Sequence, residues 1–73
     1  MKEIYADFND FLADGSLPLT CIGSKECIAS IETTLVNGEE VLLYDGELTV
    51  IARVYRLANG TWEGRGDWKF FGN

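Results

Sequence analysis

The side chains best suited to recognition in this 73-residue chain are Arg53, Tyr55, Trp62 and Trp68, with Gly64 and Gly66 standing between the two tryptophans. Tyr, Trp and Arg dominate contact surfaces because they combine large rigid area with directional donors, and glycines beside them would let a partner's backbone come close. The competing reading is that a domain this small needs both tryptophans for its core, since large aromatics are mostly buried. Catalytic material is thinner. The chain has no histidine, so the usual proton shuttle near neutral pH is missing. Carboxylate pairs occur at Asp7/Asp10, Glu39/Glu40 and Asp45/Glu47, but paired acid chemistry needs two carboxyls in separated environments of one cleft. These positions read instead as turns and solvated edges, and the chain is expected not to be an enzyme.

Metal and redox chemistry fare no better. Cys21 and Cys27 are the only cysteines; two thiols without histidine do not complete a four-ligand zinc site, and their spacing is not the Cys-x-x-Cys redox pattern. They read as small buried hydrophobes. The run Asp7-Phe8-Asn9-Asp10 lacks the alternating oxygen ligands and sixth-position glycine of a calcium loop. Asn59-Gly60-Thr61 matches a glycosylation acceptor, but a hairpin turn accounts for it. No metal or cofactor is expected.

The recognition residues must be positioned by the two strand-like runs that flank Ala58-Asn59-Gly60-Thr61. Asn-Gly between β-rich runs is a strong hairpin signal, because a two-residue type I′ turn needs positive φ at both central positions. A two-residue loop sets Leu57 opposite Trp62, Arg56 opposite Glu63, Tyr55 opposite Gly64, Arg53 opposite Gly66 and Ile51 opposite Trp68. Such cross-strand pairs contribute roughly 0.2–1 kcal/mol each. Strand period then gathers Trp62, Gly64, Gly66, Trp68 and Phe70 on one face with Arg53 and Tyr55, and Glu63, Arg65, Asp67 and Lys69 on the other. Arg56 is expected to pair with Glu63. Residues 48–55 are apolar on both faces, which suits a central strand.

Upstream, residues 3–9 read as a strand with Ile4, Ala6 and Phe8 on one side. Asp14-Gly15 turns the chain into a short run whose Pro18 restricts it to an edge or a bulge. Ser24 is a natural N-cap, Glu26 suits a first turn, and Cys27, Ile28, Ile31 and Leu35 form a stripe, so a short helix is predicted over about residues 24–32. Residues 32–36 offer a short strand, paired across Asn37-Gly38 with a strand at 39–44. Four turn dipeptides, Asp14-Gly15, Asn37-Gly38, Asp45-Gly46 and Asn59-Gly60, punctuate the chain as a meander. The expected fold is mostly β: a small antiparallel SH3-like barrel, or strongly bent meander sheet, with one short helix covering an open end. A flat sheet on one helix is the runner-up. Residues 1–73 are read as a single small β-rich domain, and such a chain buries only about 60% of its unfolded surface.

The order Tyr5-Ala6-Asp7-Phe8-Asn9, Gly15, Leu17, Leu19-Thr20, Gly23-Ser24, Leu43-Tyr44-Asp45, Leu48, Val50, Trp62 and Asp67-Trp68 resembles a family of small bacterial proteins of uncharacterised role. The resemblance implies a complete bacterial domain that opens on a strand, and supplies no substrate or partner. The chain departs from the family's pattern at Arg53 and Arg56, and at Gly64 and Gly66.

Charge narrows the partners. The net charge of −6, from twelve acidic and six basic residues, opposes binding to a phosphate backbone, which depends on counterion release by Lys and Arg. It favours solubility and basic partners. No run approaches the ~20 apolar residues of a membrane span, and the first residues lack the apolar core of a signal peptide, so the expected location is cytoplasmic. The reading that follows is a non-catalytic protein-interaction module or adaptor using the aromatic/Arg/Gly face of the last hairpin. The alternative is a small acidic regulator or inhibitor of a basic, nucleic-acid-handling partner. The strand at Pro18 also leaves an edge that a second copy could pair with.

Overall fold

A computed structural model describes residues 1–66; Trp68, Phe70 and the proposed Ile51–Trp68 pairing lie outside the described residues. Five strands and one helix follow in the order β1 (Glu3–Tyr5), β2 (Leu17–Pro18), α1 (Ile22–Ile31), β3 (Glu40–Tyr44), β4 (Thr49–Arg56) and β5 (Trp62–Arg65). They build a curled sheet in the order β1-β3-β4-β5-β2, a half-barrel. β4 is central, as expected, although only one of its faces is buried. The sheet is mixed rather than wholly antiparallel: β1 runs parallel to β3, with Ile4 opposite Leu43. The long connection through β2 and α1 makes this parallel pairing accessible.

The concave side holds Ile4, Ala6, Phe8, Leu17, Leu19, Val41, Leu43, Ala52, Val54 and Trp62, joined by Ile28 of α1 and by Leu35 beyond it. Strand alternation accounts for the choice: in β3, Val41 and Leu43 are buried while Glu40 is exposed, and in β4 Ala52 and Val54 are buried while Ile51 and Arg53 are exposed. Ile4, Ala6 and Phe8 do share the inward side. The strand itself stops at Tyr5, earlier than the predicted Asn9, because the Asp7 side-chain oxygen accepts the Asn9 N–H and the Asp7 carbonyl accepts the Asp10 N–H. That turn bends the chain out of the ladder.

The helix begins two residues before the predicted start, with Cys21 in extended backbone at its N-cap and no side-chain cap. Ser24 does not cap because its hydroxyl is spent elsewhere: fully buried, it donates to the Tyr5 carbonyl. One turn on, the Cys27 sulfur accepts the Tyr5 N–H at 3.4 Å. Two helical side chains thus satisfy both backbone groups of an edge residue, and α1 stands where a further strand would pair. At the other edge, Pro18 has no N–H to offer a further strand, as its restriction to an edge or bulge anticipates. Residues 32–36 form no strand; Leu35 N–H bonds back to the Ile31 carbonyl, a helical turn that drops Leu35 into the core.

All four predicted turns form, and their glycines are the positive-φ residues among those described. The last turn differs from its predicted type. Asn59 does not adopt positive φ. Instead Gly60 N–H donates to the Leu57 carbonyl at 2.9 Å and Leu57 N–H donates to the Thr61 carbonyl at 2.7 Å, with Gly60 at φ 88°. This is a three-residue loop ending in a glycine bulge. Its extra residue slips the register by one: Arg56 faces Trp62, Tyr55 faces Glu63, Val54 faces Gly64 and Arg53 faces Arg65. A one-residue slip exchanges the faces of a strand. The observed register lets Trp62 share the core side with Val54, whereas the two-residue loop would have brought Arg53 there and desolvated its guanidinium.

Candidate functional site

The slipped register divides the six residues singled out in the sequence. Trp62 is 4% exposed and belongs to the core. Gly64 is buried beside it, and a Cβ there would lie 2.9 Å from Leu43 Cδ1, so the close approach this glycine permits is that of the protein's own core. A Cβ on Gly66 would stand 3.3 Å from that of Ala52. Arg53 and Tyr55 lie on the opposite, convex side, and Trp68 is beyond the described residues. The structure therefore brings Arg53 and Tyr55 together with two residues sequence reasoning had set on the other face, Glu63 and Arg65.

These four form a grid across β4 and β5. Tyr55 stands opposite Glu63, and Arg53 stands opposite Arg65. Glu63 is only 6% exposed although it points away from the core. A carboxylate removed from water needs a partner, and Arg65 provides it, with Nε donating to Glu63 Oε2 at 2.6 Å. The same guanidinium lies over the Tyr55 ring at 6.0 Å, within reach of a cation–π contact. Arg65 is held more firmly in its charged form by the Glu63 carboxylate. The expected Arg56–Glu63 pair does not form, because Glu63 is opposite Tyr55 and its oxygen is occupied by Arg65.

Arg53 is anchored differently. It donates to the Gly38 carbonyl at 2.9 Å and stands 3.8 Å from Glu40, both side chains more than half exposed, a pair worth little in water. Asn37 organises the hairpin's upper end by accepting the Arg56 backbone N–H at 2.7 Å through Oδ1. Asn37, Tyr55, Arg56, Leu57, Glu63 and Arg65 line an open cavity of about 490 Å³. A second hollow, lined by Asp14, Gly15, Ser16, Arg65 and Gly66, lies on the other flank of Arg65. There the Asp14 carboxyl is held below its usual range, first by the Ser16 hydroxyl and then by the Ser16 N–H.

A third depression, about 240 Å³, lies between α1 and the hairpin turn with Leu19, Ile28, Ala29 and Trp62 among its lining. Several other polar side chains are committed to structure. Asp45 accepts the N–H groups of Glu47 and Leu48, and Glu39 receives the Lys2 ammonium at 2.7 Å and the Val36 N–H at 2.9 Å. Both carboxyls are lowered by these bonds, Glu39 chiefly by Lys2 and Asp45 chiefly by the Leu48 N–H. Both cysteines are free thiols and half-buried, less enclosed than the small buried hydrophobes expected from the sequence. Among the described residues no three His, Cys, Asp or Glu side chains converge on a point where they could hold a metal ion, and no helix is long and apolar enough to cross a membrane.

Comparison with protein-family models, with curated proteins and with solved structures finds no match. Glu63, Arg65 and Asn37 were not among the predicted site residues. The signal for the first two was present as Glu-x-Arg, which places both side chains on one face of a strand; Asn37 reaches the hairpin only through the fold.

Proposed function

We propose that this chain is a protein-interaction module that acts by docking rather than by catalysis, through the convex face of the β4–β5 hairpin. The observation that carries this reading is the concentration of Arg53, Tyr55 and Arg65 on one outer face whose fourth member, Glu63, is buried. The third arginine of the chain, Arg56, ends the same β4 strand opposite Trp62. Rigid aromatic area ringed by arginine donors is the composition of interface hot spots. The state of the edges supports a face rather than a strand as the contact: α1 occupies the outer edge of β1 through Ser24 and Cys27, and Pro18 cannot donate from β2. Strand addition by a partner is thereby disfavoured. One carboxylate of each sequence pair, Asp7, Glu39 and Asp45, accepts a nearby backbone N–H and so serves local structure.

The acidic-regulator reading draws on Glu3, Glu26, Glu32, Glu40 and Glu47, which are exposed but scattered over β1, α1, β3 and the β3–β4 turn. No single acidic face supports it. The test is affinity capture with immobilised protein and with Tyr55→Ala, after circular dichroism has shown both folded. Capture of the same protein by wild type alone, resistant to nuclease, is the expected result. Equal capture by both would place the contact elsewhere, and capture abolished by nuclease would replace a protein partner with a nucleic acid.

A further inference from the structure

Arg53 and Arg65 are directly opposed across β4 and β5. Like charges in that position repel, and nothing in the concave core requires either of them, since both side chains are more than half exposed. Each guanidinium turns to a different carboxylate, and in neither case is its donor capacity used up. Arg65 spends only Nε on Glu63; its two terminal nitrogens make no hydrogen bond among the described residues. Arg53 gives Nη1 to a carbonyl and leaves Nη2 facing Glu40 at 3.8 Å, too long for a hydrogen bond. Arg56 makes no ion pair among the described residues and lines the adjoining cavity, as does Asn37. On a chain of net charge −6, this surface holds unspent arginine donors.

Resting on the interaction-module reading, we infer that the Arg53–Arg65 pair is an anion clamp for a carboxylate side chain of an acidic peptide segment, with the peptide's neighbouring apolar side chain laid on Tyr55 and Leu57. Glu63 is a positioning residue: by holding Arg65 through Nε it presents the two terminal nitrogens as a fork, the geometry that matches a carboxylate with two parallel bonds. A bound carboxylate also removes the cross-strand repulsion. A peptide fits better than a nucleic acid because Glu40, Glu63 and Asp14 lie around the clamp and oppose a chain of successive phosphates more than a single carboxylate. Leu57, 39% exposed, extends the apolar floor beside the cavity.

The test uses ¹⁵N-labelled protein at low salt and an acetylated, amidated hexapeptide of alternating glutamate and leucine, with its glutamine twin as control. The expected result is saturable shifts of the Arg53 and Arg65 side-chain Nε–H signals and of the Tyr55 amide with the glutamate peptide, and none with the twin. Arg65→Lys, which keeps the charge and loses the fork, should weaken binding roughly tenfold. Glu63→Gln should weaken it while leaving the fold's amide spectrum in place, and Lys25→Gln on α1 should change nothing. Equal shifts with both peptides, or shifts absent for both, overturn the clamp. Shifts at the same arginines with inorganic phosphate but not with the peptide overturn the choice of carboxylate. If the clamp fails while protein capture still depends on Tyr55, the docking reading stands without it; if capture also ignores Tyr55, both fall.

Discussion

The two faces of the β4–β5 hairpin are built from neighbouring residues and solve opposite problems. On the concave face, Trp62 and Val54 are buried and Gly64 gives up its side chain so that Leu43 can come close. On the convex face, Arg53, Tyr55 and Arg65 keep their bulk and leave hydrogen-bonding capacity toward solvent. The contrast separates stability from the proposed recognition. Inside, shape is the constraint and any volume change is felt; outside, charge and donor geometry decide, and substitutions should leave the fold nearly unchanged.

The largest expected effect is therefore inside. Trp62→Ala should cost about 3–5 kcal/mol, enough to remove most of the stability of so small a domain, and urea denaturation monitored by circular dichroism checks it. Gly64→Val should cost about 1–3 kcal/mol through overpacking against Leu43. A neutral result in the same denaturation assay would mean that Leu43 can move aside and that the inner face is less tightly built than its geometry states.

The turn sets which residues reach which face, so it offers a sharper test. Gly60→Ala places a Cβ at φ 88° and should cost about 1–2 kcal/mol. Deleting Ala58 leaves Asn59-Gly60 as a two-residue loop between Leu57 and Thr61, and should preserve the Arg56–Trp62 pairing with a stability change of less than about 1 kcal/mol. Cross-strand nuclear Overhauser contacts report the register directly. Loss of the Tyr55–Glu63 neighbours in that variant would show that the bulge, rather than burial of Trp62, holds the two faces apart.

Smaller still is Tyr55→Ala on the outer face, expected to shift the denaturation midpoint far less than either inner-face change while abolishing partner capture. Acid provides a gentler probe of the scaffold around both faces. Asp14, Glu39 and Asp45 have carboxyls lowered in the folded state by hydrogen bonds, so they contribute stability above the ordinary carboxylate range. That contribution is lost as pH falls through their lowered native values, because the unfolded chain takes up protons first. Asp45→Asn should flatten the acid limb of a plot of urea midpoint against pH, and an unchanged limb would show that the turn bonds carry no pH-linked stability.

Much of the architecture was legible because local chemistry decides it. An Asn or Asp before glycine both supplies a side-chain acceptor for a nearby N–H and permits positive φ, so the four turns at Gly15, Gly38, Gly46 and Gly60 follow from residue type alone. Alternation made β3 and β4 recognisable, Pro18 indicated an edge, and the apolar stripe of residues 27–31 indicated one helix. Ser24 misled for a physical reason: a hydroxyl that suits an N-cap equally suits the exposed carbonyl of an edge strand, and only the docking of α1 on β1 selected between them.

By itself, then, the sequence determined a curled, β-rich domain with a final hairpin carrying aromatic and arginine residues, because turn residues and strand period act over a few positions. What only the tertiary structure decided was the register of that hairpin, and with it the composition of each face. An Asn-Gly step accommodates a two-residue loop or a three-residue loop with a glycine bulge, and the local energies do not separate them. Burying Trp62 beside Val54 while keeping Arg53 in water does, since the fit between the faces of one strand and a core assembled from four other strands and a helix is a property of the whole fold.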